Sequence, residues 1–107
     1  MNKKEQDDWK STLKMLGEDI AKLDQQIVGV LIKRKEAVLN VEVAKYRLGL
    51  SIYRGDVERK RLATIKELAR QDDLSPSFIQ AIFYLIIDES SKVQMIQRES
   101  RESKKRK

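Results

Sequence analysis

The chain has 107 residues, enough for one domain with a small hydrophobic core, so association with a second copy is a natural way to bury more apolar surface. It contains no cysteine and no histidine, which excludes disulfides, cysteine nucleophiles and the usual zinc sites, and removes the commonest general base. Apolar residues make up 40% of the chain, too many for general disorder, and Gly and Pro are scarce, which favours long helices.

Residues 1–8 contain no apolar segment of the signal-peptide type, and no later run approaches the length of a membrane span. We therefore expect a cytoplasmic protein with a flexible N-terminus over residues 1–8 and no membrane segment.

Apolar residues recur every three or four positions from Trp9 to Leu48, which predicts one long helix. Forty helical residues span about 60 Å, whereas a compact chain of this length has a radius of gyration of about 13 Å. A partner must therefore cover the apolar seam, and we expect a homodimer. The seam consists of Trp9, Leu13, Leu16, Ile20, Leu23, Ile27, Val30, Val38, Val41 and Leu48.

Two shorter helices are predicted after this one. Gly49 lies where a left-handed residue would end the first helix, and a connection follows from Leu50 to Gly55. The second helix is predicted to run from Asp56, a good N-cap residue, to about Gln71. The third is predicted to begin at Ser75-Pro76, with serine as the N-cap and proline in the first helical position.

The basic residues are concentrated at the C-terminus. Residues 98–107 (RESRESKKRK) carry most of the formal net charge of +6. We predict a disordered, solvated tail over 98–107, after a helical domain over 9–97. A nucleic-acid-binding arm is the alternative, but no aromatic residue interrupts the basic run, as it would in a single-strand binder.

Five polar side chains stand on apolar helix faces, which is where a binding site is expected. Buried charges are costly unless they are paired or bind a ligand, so together these residues predict a polar pocket inside a helical bundle. Taken singly, each has a structural alternative: cations that extend to solvent, a carboxylate that complements a helix dipole, or hydrogen bonds between helices. The five are Arg34, Lys45, Glu58, Ser90 and Gln94.

From Leu16 to Gln94 the chain resembles the helical chorismate mutase family. The resemblance is carried by LDQQIVGVLIKRKEAVLNVEVAKYR (23–47), DVERKRL (56–62) and LSPSFIQAIFYLIIDESSKVQ (74–94). A leucine–aspartate pair, an inward arginine and lysine, and a third helix that ends in serine and glutamine are typical of that family.

The resemblance implies an all-α fold, an intertwined homodimer of three-helix chains whose long first helices pair. It also implies an isomerase that rearranges chorismate to prephenate. That reaction is intramolecular and needs no nucleophile, metal or cofactor. It needs the substrate held in its reactive conformer and stabilisation of the charge that develops on the ether oxygen.

Site roles also follow from the resemblance. Arg34 would hold a substrate carboxylate. Lys45 would reach a carboxylate and the ether oxygen, and Gln94 would bind the same oxygen. The remaining positions would accept the ring hydroxyl (Glu58), lie near a carboxylate (Ser90) and form apolar walls (Val41, Ile87).

The sequence departs from the family pattern at two positions. The family usually has arginine at the places of Gly17, from which it reaches into the partner's site, and of Val57. Nearby cations are candidates to replace them: Arg61 lies one turn beyond Val57, Arg54 one turn before Glu58, and Lys14 one turn before Gly17. The alternative is that these cations are ordinary exposed helix residues.

The altered cation set leaves other functions open. Related proteins act on isochorismate as a pyruvate lyase, or on aminodeoxychorismate, although Glu58 suits a ring hydroxyl better than an amino group. A degenerate dimer that regulates or binds a partner enzyme is the non-enzymatic alternative.

Overall fold

The computed structural model describes residues 1–105, which form three α-helices and no strand. These are α1 (Lys3–Arg47), α2 (Gly55–Gln71) and α3 (Pro76–Lys105). The prediction of an all-helical, three-helix chain is therefore confirmed. Over the described residues, no helix is long and apolar enough to cross a membrane. The chain divides into two compact units, Met1–Arg34 and the residues from Lys35 onward.

The N-terminal unit is a single helical segment with an exposed apolar seam. Asn2 caps its start, because its Oδ1 accepts a hydrogen bond from the Glu5 amide at 2.8 Å. Residues 3–8, predicted to be flexible, are helical. The seam residues of this unit are 50% to 71% exposed: Trp9, Leu13, Leu16, Ile20, Leu23, Ile27 and Val30.

The left-handed residue Gly49 terminates α1, as predicted, and the C-terminal end of this helix is closed by a Schellman motif. Gly49 has φ +70°, a left-handed conformation that glycine adopts without steric cost. The Leu50 amide donates to the Lys45 carbonyl at 2.8 Å, and the Gly49 amide donates to the Tyr46 carbonyl at 3.1 Å. This turn fixes the direction in which the α1–α2 connection leaves the helix.

The N-cap of α2 lies two residues before the predicted one. The N-cap is Arg54, whose carbonyl accepts hydrogen bonds from the Val57 and Glu58 amides, both at 3.1 Å. The prediction of Asp56 as N-cap was wrong, because the extended backbone of Arg54 already turns its carbonyl into the first helical turn. Asp56 instead lies in that turn, where its charge complements the helix dipole.

The start of α3 agrees with the prediction, but its end does not. The Ser75 hydroxyl accepts a hydrogen bond from the Phe78 amide at 3.3 Å, and Pro76 is the first helical residue. The helix continues to Lys105, so the prediction of a disordered tail was wrong for residues 98–105. The remaining residues, 106 and 107, lie outside the described part of the chain.

The interior of the C-terminal unit is unusually polar. The helices α2 and α3 pack against each other. Among the described residues, the buried apolar side chains are Val38 and Ala69, and the buried polar ones are Glu42 and Gln94. Both polar residues lie where α1 meets α3, so hydrogen bonds between side chains join these two helices.

Candidate active site

A hydrogen-bonded pair of side chains joins α1 to α3. Lys45 donates from Nζ to Oε1 of Gln94 at 3.0 Å and to the Ile52 carbonyl at 2.6 Å. Gln94 is only 6% exposed, and its Nε2 donates to the Ser90 carbonyl at 3.1 Å. The amide of Gln94 therefore has a defined orientation, with its oxygen toward the lysine.

Four charged side chains lie close enough to act on Lys45. Its pKa is lowered, first because burial penalises the ammonium ion. Glu58 opposes this shift and raises the pKa, whereas the positive charges of Arg54, Arg98 and Arg61 lower it further. The surroundings of Lys45 are therefore rich in positive charge, with one carboxylate, and suited to an anion.

Three residues predicted from the second helix and its approach, Glu58, Arg54 and Arg61, are among these neighbours. Glu58 is half-buried, and the two arginines are exposed. Arg61 also lines a shallow groove of about 300 Å³ together with Val57. A cation is therefore present beside the place where the family pattern has lost one.

For the other predicted residues, the contacts and burial bear less directly on the predicted roles. Ser90 is half-buried and donates from Oγ to the Ile86 carbonyl at 2.8 Å. Ile87 is half-buried, whereas Val41 is 47% exposed. Arg34 is the last residue of the N-terminal unit, which also contains Lys14. The substrate contacts of all these side chains stay predictions.

A second polar cluster lies next to the Lys45–Gln94 pair and was not predicted from the sequence. Glu42 has no exposed surface and accepts hydrogen bonds on both carboxylate oxygens. Arg101 donates to them at 2.7 Å and 2.6 Å, Gln97 at 2.7 Å and Arg98 at 3.1 Å. Hydrogen bonding from Arg101, aided by Gln97 and Arg98 and opposed by burial, lowers the pKa of Glu42 to about 2.

Tyr46 extends this cluster by one residue along α1. The guanidinium groups of Arg101 and Arg98 lie 4.4 Å and 5.8 Å from the centre of its ring, within cation–π range. Lys105 lies over the same ring and donates to the Tyr46 hydroxyl. The last turns of α3 are therefore attached to α1 by charged side chains rather than by apolar ones.

The spacing of these residues contains a signal for the cluster. Gln94, Gln97, Arg98 and Arg101 fall three and four residues apart, which places them on one face of a helix. Glu42 lies three residues before Lys45, on the same face of α1. The signal was missed because residues 98–107 were assigned to a disordered tail, where charge needs no partner.

Residues 16–95 match the model of the chorismate mutase type II family. The chain belongs to this family. It is also 34% identical over 83 residues to the bifunctional chorismate mutase/prephenate dehydratase of Buchnera aphidicola subsp. Schizaphis graminum (strain Sg). That similarity covers 76% of this chain but only 21% of the Buchnera protein, so the chain spans about a fifth of its relative. No solved structure matches the chain.

The match to the chorismate mutase family covers the Lys45–Gln94 pair and ends at Met95. Glu42 lies within the matched residues, whereas Arg98 and Arg101 lie beyond them. The polar cluster is therefore built by this chain partly from residues outside the matched chorismate mutase segment.

Proposed function

We propose that this chain is a chorismate mutase, an isomerase that rearranges chorismate to prephenate. The observation that carries the proposal is the Lys45–Gln94 pair, hydrogen-bonded at 3.0 Å among three arginines and one carboxylate. Membership of the chorismate mutase type II family supports it.

The two side chains of the pair can bind one oxygen atom together. Lys45 has three N–H donors, and its contacts with Ile52 and Gln94 use two. The amide nitrogen of Gln94 has two donors, and Ser90 accepts from one. A donor from each remains for the ether oxygen of chorismate, on which negative charge develops as the bond breaks. Donors fixed in advance stabilise that charge without reorganisation.

The remaining groups would bind and fold the substrate. Chorismate is a dianion, and we propose that Arg54 and Arg61 supply positive charge in place of the arginine replaced by Val57. Glu58 would accept the ring hydroxyl. The family resemblance adds Arg34 and Ser90 for carboxylates and Val41 and Ile87 as apolar walls.

We also propose that the working form is a cytoplasmic homodimer. The N-terminal unit leaves seven apolar seam residues at least half exposed, and burial stabilises by about 25 cal/mol per Å² of apolar surface. A second copy with the same seam would cover it. Lys14 could then take the place of the arginine that Gly17 replaces. Prephenate would enter aromatic amino acid biosynthesis, where a partner enzyme such as a prephenate dehydratase would consume it.

The test is the loss of chorismate in the presence of purified protein, with prephenate identified as the product. We expect saturable turnover, and we expect Lys45→Gln to lower kcat by roughly 100-fold or more, because the positive charge beside the developing negative charge is lost. The matched control is Lys92→Gln, an exposed lysine of α3 paired only with Asp88 among the described residues. No turnover by folded protein at high concentration would overturn the proposal, as would pyruvate release from isochorismate alone.

A further inference from the structure

Arg98 is held rigidly at the end of the candidate site. Its Nε donates to Glu42 at 3.1 Å, and its Nη1 donates to the Leu50 carbonyl at 3.1 Å. The guanidinium also lies over the Tyr46 ring. Three contacts from α1 and the following connection therefore fix the plane of this group.

The third nitrogen of the guanidinium is the unusual one. Nη2 of Arg98 is buried, and within residues 1–105 it has no hydrogen-bond partner. Buried donors in folded proteins are nearly always paired, because a donor withdrawn from water without a partner is costly. This N–H group of Arg98 is therefore a donor whose hydrogen bond an anionic group could satisfy.

Three further observations place Arg98 in the surroundings of Lys45. It lies four residues after Gln94, one turn along the same face of α3. Its positive charge contributes to the lowered pKa of Lys45. Arg98 and Lys45 also bind carbonyls of the same short connection, those of Leu50 and Ile52.

We propose that Arg98 is a further substrate-binding residue, whose Nη2 binds a carboxylate of the substrate. This inference rests on the proposed function, since it assigns a ligand to the same site. A dianionic substrate needs cations, and this chain lacks arginine at Gly17 and Val57. The last turns of α3 supply such a cation, Arg98, which its hydrogen bond to Glu42 holds in place.

The need to pair the carboxylate of Glu42 does not by itself explain the position of Arg98. Arg101 donates to both oxygens of Glu42, and Gln97 donates to one of them, so the carboxylate is well paired without Arg98. Arg101 therefore provides a matched control: it shares the ion pair with Glu42 but has no buried unpaired nitrogen within the described residues.

The experiment compares Arg98→Gln, Arg98→Lys and Arg101→Gln with the parent chain. Each variant is measured for KM and kcat with chorismate, for direct binding of prephenate by calorimetry, and for thermal stability. We expect Arg98→Gln to raise KM and weaken prephenate binding by about 10- to 100-fold, the effect of one charge-assisted hydrogen bond. Arg98→Lys should recover part of the affinity, and Arg101→Gln should lower Tm without this loss.

The outcomes separate this inference from the proposed function. If the parent chain binds prephenate without turnover and Arg98→Gln abolishes binding, the mutase proposal fails and the assignment of Arg98 stands. If Arg98→Gln binds as tightly as the parent chain, or loses no more affinity than Arg101→Gln, the assignment is overturned while the mutase activity stands. If the folded parent chain neither binds nor turns over, both are overturned.

Discussion

Glu42 is a carboxylate with no exposed surface, on the face of α1 that also carries Lys45. A buried charge of this kind is tolerated only when all its hydrogen-bonding capacity is used. Arg101, Gln97 and Arg98 meet that requirement from α3. At the scale of one residue, therefore, a single carboxylate determines that the end of α3 is ordered.

The acid stability of the protein should depend on Glu42. Its pKa falls from the ordinary 4.5 to about 2 in the folded chain, so the ionised form favours folding. The resulting stabilisation, roughly 3 kcal/mol, should be fully present above pH 4.5 and lost as the pH falls toward 2. Urea unfolding from neutral to acid pH would measure it in the parent chain and in Glu42→Gln.

The free energies of unfolding of the parent chain and of Glu42→Gln should differ at neutral pH, and this difference should become smaller in acid. Glu42→Gln should be less stable at neutral pH and should lack this part of the acid loss. The control is Glu99→Gln, an exposed carboxylate of α3, which should follow the parent chain. Equal acid loss in the parent chain and in Glu42→Gln would contradict the assignment of the shift.

At the scale of the elements, the turn at Gly49 is the sharpest local requirement. A residue with a Cβ at φ +70° costs roughly 1–2 kcal/mol, and a Cβ built there meets nothing within 4 Å. Gly49→Ala should therefore lower the free energy of unfolding by about that amount through the backbone alone. Chemical denaturation would measure this change.

Gly29 provides the matched comparison for this prediction. It lies inside α1, and an added Cβ there also meets nothing within 4 Å. Alanine is the better helix former, so Gly29→Ala should stabilise by about 0.5–1 kcal/mol. If alanine changed the free energy of unfolding in the same direction at both glycines, the left-handed turn would not be what determines the cost at Gly49.

The helices were predictable where apolar periodicity and capping residues agreed. Gly49, Ser75 and Pro76 act at element ends through local backbone chemistry, which sequence records directly. The last turns of α3 were not predictable in this way, because what orders Arg98 and Arg101 is a carboxylate more than fifty residues away. Charge in a sequence does not reveal whether its partner is water or another side chain.

The candidate site was predictable to a similar degree. The sequence placed Lys45 and Gln94 on inward faces, and the family resemblance paired them; their hydrogen bond agrees with both. The contribution of Arg98 depends on the path of the α1–α2 connection, whose Leu50 carbonyl it binds. No periodic pattern specifies such a path.

At the scale of the whole molecule, the exposed seam of the N-terminal unit predicts self-association. A leucine moved from water into an interface stabilises by about 1.5–3 kcal/mol, so Leu23→Glu should shift the protein from dimer to monomer. Sedimentation velocity would measure the shift, and the Tm of the parent chain should rise with protein concentration.

The neighbouring substitution Lys22→Glu tests whether the effect belongs to the seam. Lys22 is adjacent to Leu23 in the same helix but lies outside the seam. This change of charge should therefore leave the dimer intact. A parent chain that sediments as a monomer at high concentration would contradict the homodimer.

The buried carboxylate also limits how α3 can slide along α1. The hydrophobic effect is non-directional, so apolar contacts alone distinguish helix registers less sharply than paired charges do. A shift of 5.4 Å, one helical pitch, would break the four hydrogen bonds that Arg101, Gln97 and Arg98 donate to Glu42 and on which this interior charge depends. The pairing therefore selects a single register for the two helices, and with it the alignment of Gln94 opposite Lys45.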